Sequence, residues 1–280
     1  MEQINNNTTA DEIDLRDIAR ILSKRKFWIL GFVTVVCAIT VLFVLKMDNI
    51  YESKAILRPV KNGTNQVASI AGINLGSGDV TPFNTMKAII YDNEFLYSFV
   101  IKNKFEKFII KNYDEQAKSK KYTDNAKFFI VNALSKNLSF VEDNKSKLIT
   151  ISLQNKDREF TKLFLDKILF ELSNNYKTIE MKNIQERIDN YKNEIDRTND
   201  ITLKNKLAEV VSGFIQSKVL AQAQAYYGFD ILVKPAVSDQ LAKVKPKRSL
   251  ICAAAFFLSF TLAVIFVISY ESLYKLAKSE

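Results

Sequence analysis

The chain has 280 residues, 48% of them hydrophobic, and carries 40 Lys and Arg against 31 Asp and Glu, a formal charge of +9. It has no histidine and two cysteines, Cys37 and Cys252. That composition excludes Ser-His-Asp and Cys-His catalysis, the usual zinc ligand sets and a disulfide framework.

The first 26 residues form a tail whose later part is basic, with Arg16, Arg20, Lys24, Arg25 and Lys26. Phe27 to Leu45, "FWILGFVTVVCAITVLFVL", follows as 19 residues without a charge. Such a run points to a membrane span. It is longer than the apolar region of a cleaved signal peptide, and no small-x-small site follows it, so we read an uncleaved anchor. "YESKAILRPV" (Tyr51–Val60) alternates and ends near Pro59, which predicts a strand. Residues 61–83 are rich in Gly, Ser, Asn and Thr and read as a loop. Gly72, Gly76 and Gly78 lie there, but no Lys-Ser/Thr pair follows them in P-loop register.

"NTMKAIIYDNEFLYSFVIKN" (Asn84–Asn103) predicts one or two helices, with a break near Asp92–Asn93, and "FEKFIIKN" extends them. Residues 113–125 are polar and lysine-rich and read as a loop; "NAKFFIVNALSKN" reads as a short amphipathic helix. Leu138–Val141 and Leu148–Leu153 flank a polar turn, a hairpin pattern in which Ile149, Ile151 and Leu153 share one face. Asp157 is placed to cap the next helix. Apolar residues then recur at helical spacing through Phe160, Phe164, Ile168, Leu172, Tyr176, Ile184, Ile188, Tyr191 and Ile195. As one helix, residues 157–198 would run about 60 Å. The alternative is two helices broken near Tyr176–Thr178. "RTND" (Arg197–Asp200) reads as a tight turn, and residues 201–226 as a returning helix with Leu203, Leu207, Val210 and Phe214 on one side. "FDILV" (Phe229–Val233) reads as a strand closed by Pro235.

Leu250 to Tyr270 closes the pattern with 21 uncharged residues, about 31 Å of helix against a hydrocarbon core of about 30 Å. The fold class expected is α+β. Two transmembrane helices (27–45 and 250–270) flank an external domain (46–249), in which a small mixed layer near the membrane bears a long protruding helical arm. Residues 1–26 and 271–280 are the tails. Their basic residues, with Lys275 and Lys278, favour a cytoplasmic side; Lys245, Lys247 and Arg248 pull the other way. Trp28, Tyr270 and Tyr274 fit the inner interface. In a bacterium residues 46–249 would face the periplasm.

The two tails together hold seven basic and seven acidic residues, so the whole net charge belongs to the external segment. A lysine- and asparagine-rich composition accounts for it better than an anionic polymer or lipid-headgroup partner does. No block of five like charges marks a polyanion site, and nucleic acid is not expected as a partner. No catalytic, cofactor or metal residues are assigned, and no cofactor is expected.

The whole pattern resembles the Wzz-type chain-length determinants, the polysaccharide co-polymerases of bacterial inner membranes. "DEIDLRDIARILSKRKFWIL" (Asp11–Leu30) is similar to the family's entry into its first span, and "YESKAILRPV" to its first periplasmic strand. "DNEFLYSFV" and "LITISLQNKDREFTKLFLDKILFELSNNY" also resemble family segments. "FDILVKPAVSDQLAKVKPKRSLI" resembles the proline-rich segment before the second span: Pro235 matches its first proline, and Pro246, Lys247 and Arg248 its ending. An intermediate proline is missing, Lys245 replaces a frequent serine, and the glycines of the second span are absent. Ala255, Ser259 and Ala263 form a small-xxx-small stripe instead, which permits close helix packing.

The resemblance implies a non-catalytic, homo-oligomeric ring that sets the length of O-antigen or a related glycan with a membrane polymerase. No nucleotide motif lies in the ten residues after Tyr270, which implies the kinase-less type. Its partners would be copies of itself, the polymerase and the bilayer, with the growing glycan a further candidate. Ile188, Tyr191 and Ile195 are the expected oligomer contacts; Pro235, Pro246, Lys247 and Arg248 are the expected re-entry and polymerase motif. The competing readings are a capsule-export co-polymerase partnered with an ABC transporter, a periplasmic sensor and, weakest, an anchored hydrolase.

Overall fold

The computed structural model describes residues 22–60, 82–111 and 113–278, with side chains as far as Glu271. The loop read over residues 61–83 falls almost wholly outside these residues, and the entry segment Asp11–Leu30 is described only from Leu22 onward. Two compact units are formed: Met1–Asn49 with Val244–Glu280, and Ile50–Lys243. The first holds helix α1 (Lys26–Lys46) and helix α9 (Arg248–Lys278). The second holds an α+β body, and the short strand β5 (Lys243–Lys245) lies at the boundary.

Within the body, β1 (Ile50–Pro59), β2 (Leu138–Glu142), β3 (Ile149–Asn155) and β4 (Phe229–Val233) form an antiparallel sheet in the order β2-β3-β1-β4. Ser53 pairs with Leu153 and Leu57 with Ile149, so the strand from the start of the chain is central. Alternation decides which face is covered. Ala55, Leu57, Ile149, Ile151 and Leu153 are buried, whereas Lys54 and Arg58 are exposed. The β2-β3 turn is held by Asp143, whose carboxylate accepts from the Ser146 hydroxyl at 2.6 Å and from Lys145 N. Those donors hold its pKa below the usual carboxylate value.

Helices α2 (Pro82–Ile90) and α3 (Asn93–Asn103) are separated where the sequence predicts a break. Asp92 caps α3 by accepting from Phe95 N at 2.9 Å. After the single turn α4 (Glu106–Ile109), the region read as a loop is in fact helical. It contains α5 (Tyr113–Gln116) and the first residues of α6 (Lys120–Ser135), capped by Ser119. Tyr122 explains the difference: it is an apolar anchor in a lysine-rich run, buried and stacked near Phe129. Burial pushes its phenol up to about 12, with Tyr113 and Glu106 adding to the shift. The amphipathic helix begins earlier than expected, with a non-helical Asn125 inside it.

Residues 158–197 form one unbroken helix, α7 (Arg158–Arg197), and not two. Asp157 caps it by accepting from Phe160 N at 3.0 Å. Its first half lies on the sheet and buries Phe160, Phe164, Leu165, Ile168, Leu169, Leu172 and Tyr176. Phe99, Phe105, Phe160 and Phe164 meet there edge to face, with ring centres 5.2–5.8 Å apart. The second half pairs with α8 (Ile201–Ala223), burying Ile184 and Ile188 against Val210, Val211 and Phe214. Each such side chain contributes roughly 1.5–3 kcal/mol. Met181 packs against both clusters. The expected turn at Arg197–Asp200 is an extended link, Thr198 to Asp200, and Asp200 caps α8 through Thr202 N and Leu203 N.

The point where α7 outruns the sheet is tightly built. Gly228 has φ +92°, and a Cβ there would lie 2.4 Å from the Tyr176 ring, so no other residue fits. Lys177 Nζ donates to the carbonyls of Gln222 and Gln224, at the end of α8 where cations are favoured. Glu180 sits in the same region, half-buried, and its pKa is raised by burial against the opposing pull of Arg187. A raised carboxylate pKa means that ionisation costs the folded state stability. That cost is absent at acid pH, where both folded and unfolded forms are protonated. It appears as pH climbs from the ordinary carboxylate value through the raised one. Glu180→Gln should therefore raise the thermal midpoint at pH 7 relative to the parent chain, and the gain should vanish by about pH 4. Thermal unfolding of the full chain in detergent across this range checks it.

Candidate functional site

Three surfaces hold the residues that the sequence singles out. None is a catalytic constellation. Among the described residues no group of three or more His, Cys, Asp or Glu side chains stands close enough to share a metal ion.

The first surface is the α7-α8 hairpin. Ile188 is fully covered by the same chain, and Tyr191 and Ile195 pack half-buried against the same cluster. Tyr191 stacks on Phe214 at 5.8 Å, and the Arg187 guanidinium lies 5.9 Å from the centre of the same Phe214 ring. These three residues are helix–helix contacts, but the partner is α8 of their own chain. That cover leaves Ile188 no surface for a neighbouring copy, whereas Tyr191 and Ile195 keep part of theirs. Periodicity marked an apolar stripe; the returning helix, 23 residues long, supplies its cover. The uncovered apolar surface lies on α8, where Ile215, Val219 and Leu220 are exposed, Val219 at 59% and Leu220 at 66%.

The second surface is the return segment after β4. Pro235 is buried. Ser53 Oγ donates to Ala236 O at 2.8 Å, the Ser238 hydroxyl donates to Glu52 O, and Arg158 Nη1 donates to Ser238 O at 3.1 Å. The guanidinium of Arg158 also lies 5.7 Å from the Tyr51 ring centre. The first residues of β1, the first residue of α7 and the return segment are thereby sewn together. Ser53, Ser238 and Arg158 carried no marker in the sequence. Beyond them a turn at Asp239 presents Leu241, 89% exposed.

The third surface is the helix pair. Only 17% of the most apolar window of α1, and the same share of α9, is buried. That excludes a buried core helix as the explanation of either run. Ile29 and Val33 of α1 pack against Ala263 and Val267 of α9, with Cys37 alongside. Ser259 is buried in the same face and Ala255 is half-buried, so the small-xxx-small stripe lies toward α1. Large apolar side chains point outward: Phe27, Trp28, Phe43, Phe257 and Phe266 are each more than two-thirds exposed. Small residues inside and large ones outside is the arrangement suited to lipid rather than water.

Each end of the pair is closed by an arginine. Arg25 Nη2 donates to Glu271 Oε2 at 3.2 Å, and its guanidinium sits 5.0 Å from the Tyr270 ring centre. At the other end Arg248 Nη2 donates to Asn49 Oδ1 at 3.1 Å and to Met47 O. Of the re-entry motif, Arg248 is therefore engaged within the chain, Pro246 is half-buried after a cis peptide bond, and Lys247 is exposed. Replacing Ala263 with Leu should overpack the seam and destabilise the helix pair by about 1–3 kcal/mol. Phe266→Leu, on the outer side, should cost no more than about 0.5 kcal/mol. Thermal unfolding in detergent separates the two.

Comparison with known proteins bears on these surfaces. The family model described as chain length determinant protein (Wzz) matches residues 11–106. No curated protein matches the sequence. Among solved structures, a full-length bacterial polysaccharide co-polymerase aligns at 13% identity over 94% of this chain and 99% of that one, with a TM-score of 0.42. A fragment of the polysaccharide co-polymerase WzzB from Salmonella Typhimurium aligns at 10% identity over 70% of this chain and all of that one, with a TM-score of 0.32. The resemblance to chain length determinants read from "DEIDLRDIARILSKRKFWIL" and "YESKAILRPV" thus falls within a stretch that the family model itself matches.

Proposed function

We propose that the chain is a member of the Wzz family and regulates the length of a surface polysaccharide, O-antigen or a related exported glycan, as a non-catalytic co-polymerase. The match of the chain length determinant model to residues 11–106 carries this reading. The two exposed apolar helices support a two-pass protein of the bacterial inner membrane, with both chain ends in the cytoplasm and residues 50–243 in the periplasm. The work is mechanical rather than chemical: copies assemble side by side and limit how long a partner polymerase keeps extending its glycan. Deleting the gene should broaden or shift the glycan ladder on a gel, and restoring it should return the original distribution. An unchanged ladder would defeat the proposal.

Self-association belongs, on this reading, to the outer face of α8. Ile215, Val219 and Leu220 form an apolar patch on a helix whose other side is already filled by α7. Ile215→Asp with Val219→Asp should disperse oligomers in detergent, as read by light scattering, while leaving the thermal midpoint near that of the parent. Ile188→Asp should instead lower the midpoint, because it buries a charge in the hairpin. The return-segment contact with the polymerase falls to exposed Leu241 and Lys247, with Pro235, Pro246 and Arg248 shaping the chain around them.

A further inference from the structure

The side of the helix pair that carries the two chain ends contains a groove with no role in the account so far. It has a volume of about 530 Å³, within the range of small-molecule sites. Trp28 and Phe32 of α1 and Leu262, Phe266 and Tyr270 of α9 form its walls, and Arg25 lines it. Resting on the two-span reading above, we infer that this groove binds one anionic glycerophospholipid of the leaflet on that side. One acyl chain lies between the aromatic walls and the phosphate meets the Arg25 guanidinium.

Charge and hydrogen bonding select this occupant. Arg25 is followed directly by α1 and is flanked by the exposed Lys24 and Lys26. Among the described residues its carboxylate partner is Glu271, which meets Nη2. The Arg25 side chain keeps 31% of its surface exposed, so its guanidinium can take a further acceptor, and a phosphodiester oxygen is the acceptor that this interface supplies. The walls do the complementary part. They are almost wholly apolar, and Trp28 and Tyr270 are the ring types that settle at headgroup depth. A neutral lipid could fill the walls, but its headgroup brings no net charge to Arg25. The other end offers a contrast. Arg248 is tied through Nη2 to the chain's own Asn49 and Met47.

Native mass spectrometry of the full-length chain, released from detergent with dioleoyl phosphatidylglycerol or dioleoyl phosphatidylcholine, tests the assignment. The two probes share their acyl chains and differ in headgroup charge. One phosphatidylglycerol should be retained per chain, at about fivefold preference over phosphatidylcholine, the effect of one basic residue at the surface. Arg25→Gln should abolish the preference and Arg25→Lys should keep most of it. Trp28→Ala should lower retention of both lipids, and Arg248→Gln should change neither. Equal retention of the two lipids, or an Arg25→Gln chain that still prefers phosphatidylglycerol, overturns the inference and leaves the two-span reading standing. Release of the parent chain from its membranes by alkaline carbonate overturns both.

Discussion

A forty-residue helix has too much surface for any one core, and α7 is the constraint around which the rest is arranged. Its length follows from its sequence: it has neither proline nor glycine, and Asp157 satisfies its first amides. Stability must then come from burial on tertiary partners, since propensity alone sustains few helices. The chain provides two partners in succession. The sheet takes the face from Phe160 to Tyr176, and α8 takes Ile184 and Ile188. Tyr176, Gly228 and Met181 make the handover, with the glycine giving way so that the tyrosine ring can lie against backbone.

This arrangement separates what the sequence reveals from what it conceals. Element type was legible wherever a short-range rule applied: period-two alternation in β3, the Asp92 and Asp157 caps, and the uncharged runs of α1 and α9. The helical stretch around Tyr122 was not, because one buried aromatic outweighs a lysine-rich surround only once its neighbours Tyr113 and Phe129 are in place. The covering of Ile188 was concealed for a related reason. A stripe at helical spacing states that something must cover it, yet leaves open whether that is the chain's own next helix or a second copy. The Ser53–Ala236 and Ser238–Glu52 contacts join residues more than 180 positions apart through small polar groups. No local pattern announces such pairs.

The two units obey opposite packing rules, and each follows from its solvent. In the body large side chains are inside: Phe140, Phe164, Phe214 and Phe229 are completely buried. In the helix pair the interior holds Ala263, Ser259 and Val33, while the phenylalanines face outward. In water the second arrangement would expose a continuous apolar sleeve. In lipid it costs nothing, because hydrocarbon tails are as good a neighbour as leucine, and close approach of the helices then rests on small side chains.

Ser53, Ser152, Thr161, Ser173 and Ser259 are the buried polar residues among those described. Ser173 accepts from Tyr227 N at 2.6 Å, a structural bond within the core, and Thr161 donates back to Arg158 O. The titratable groups that burial perturbs, Tyr122, Tyr176 and Glu180, sit in packing junctions and not in a cleft around a reacting atom. Meanwhile Ile215, Val219 and Leu220 stay uncovered on a helix that has already met its intrachain partner. That outer face is mixed along its length: Lys206 and Glu209 are exposed toward the tip, and so is Ile201, at 75%. The apolar patch toward the other end of α8 is the kind of surface that association would cover.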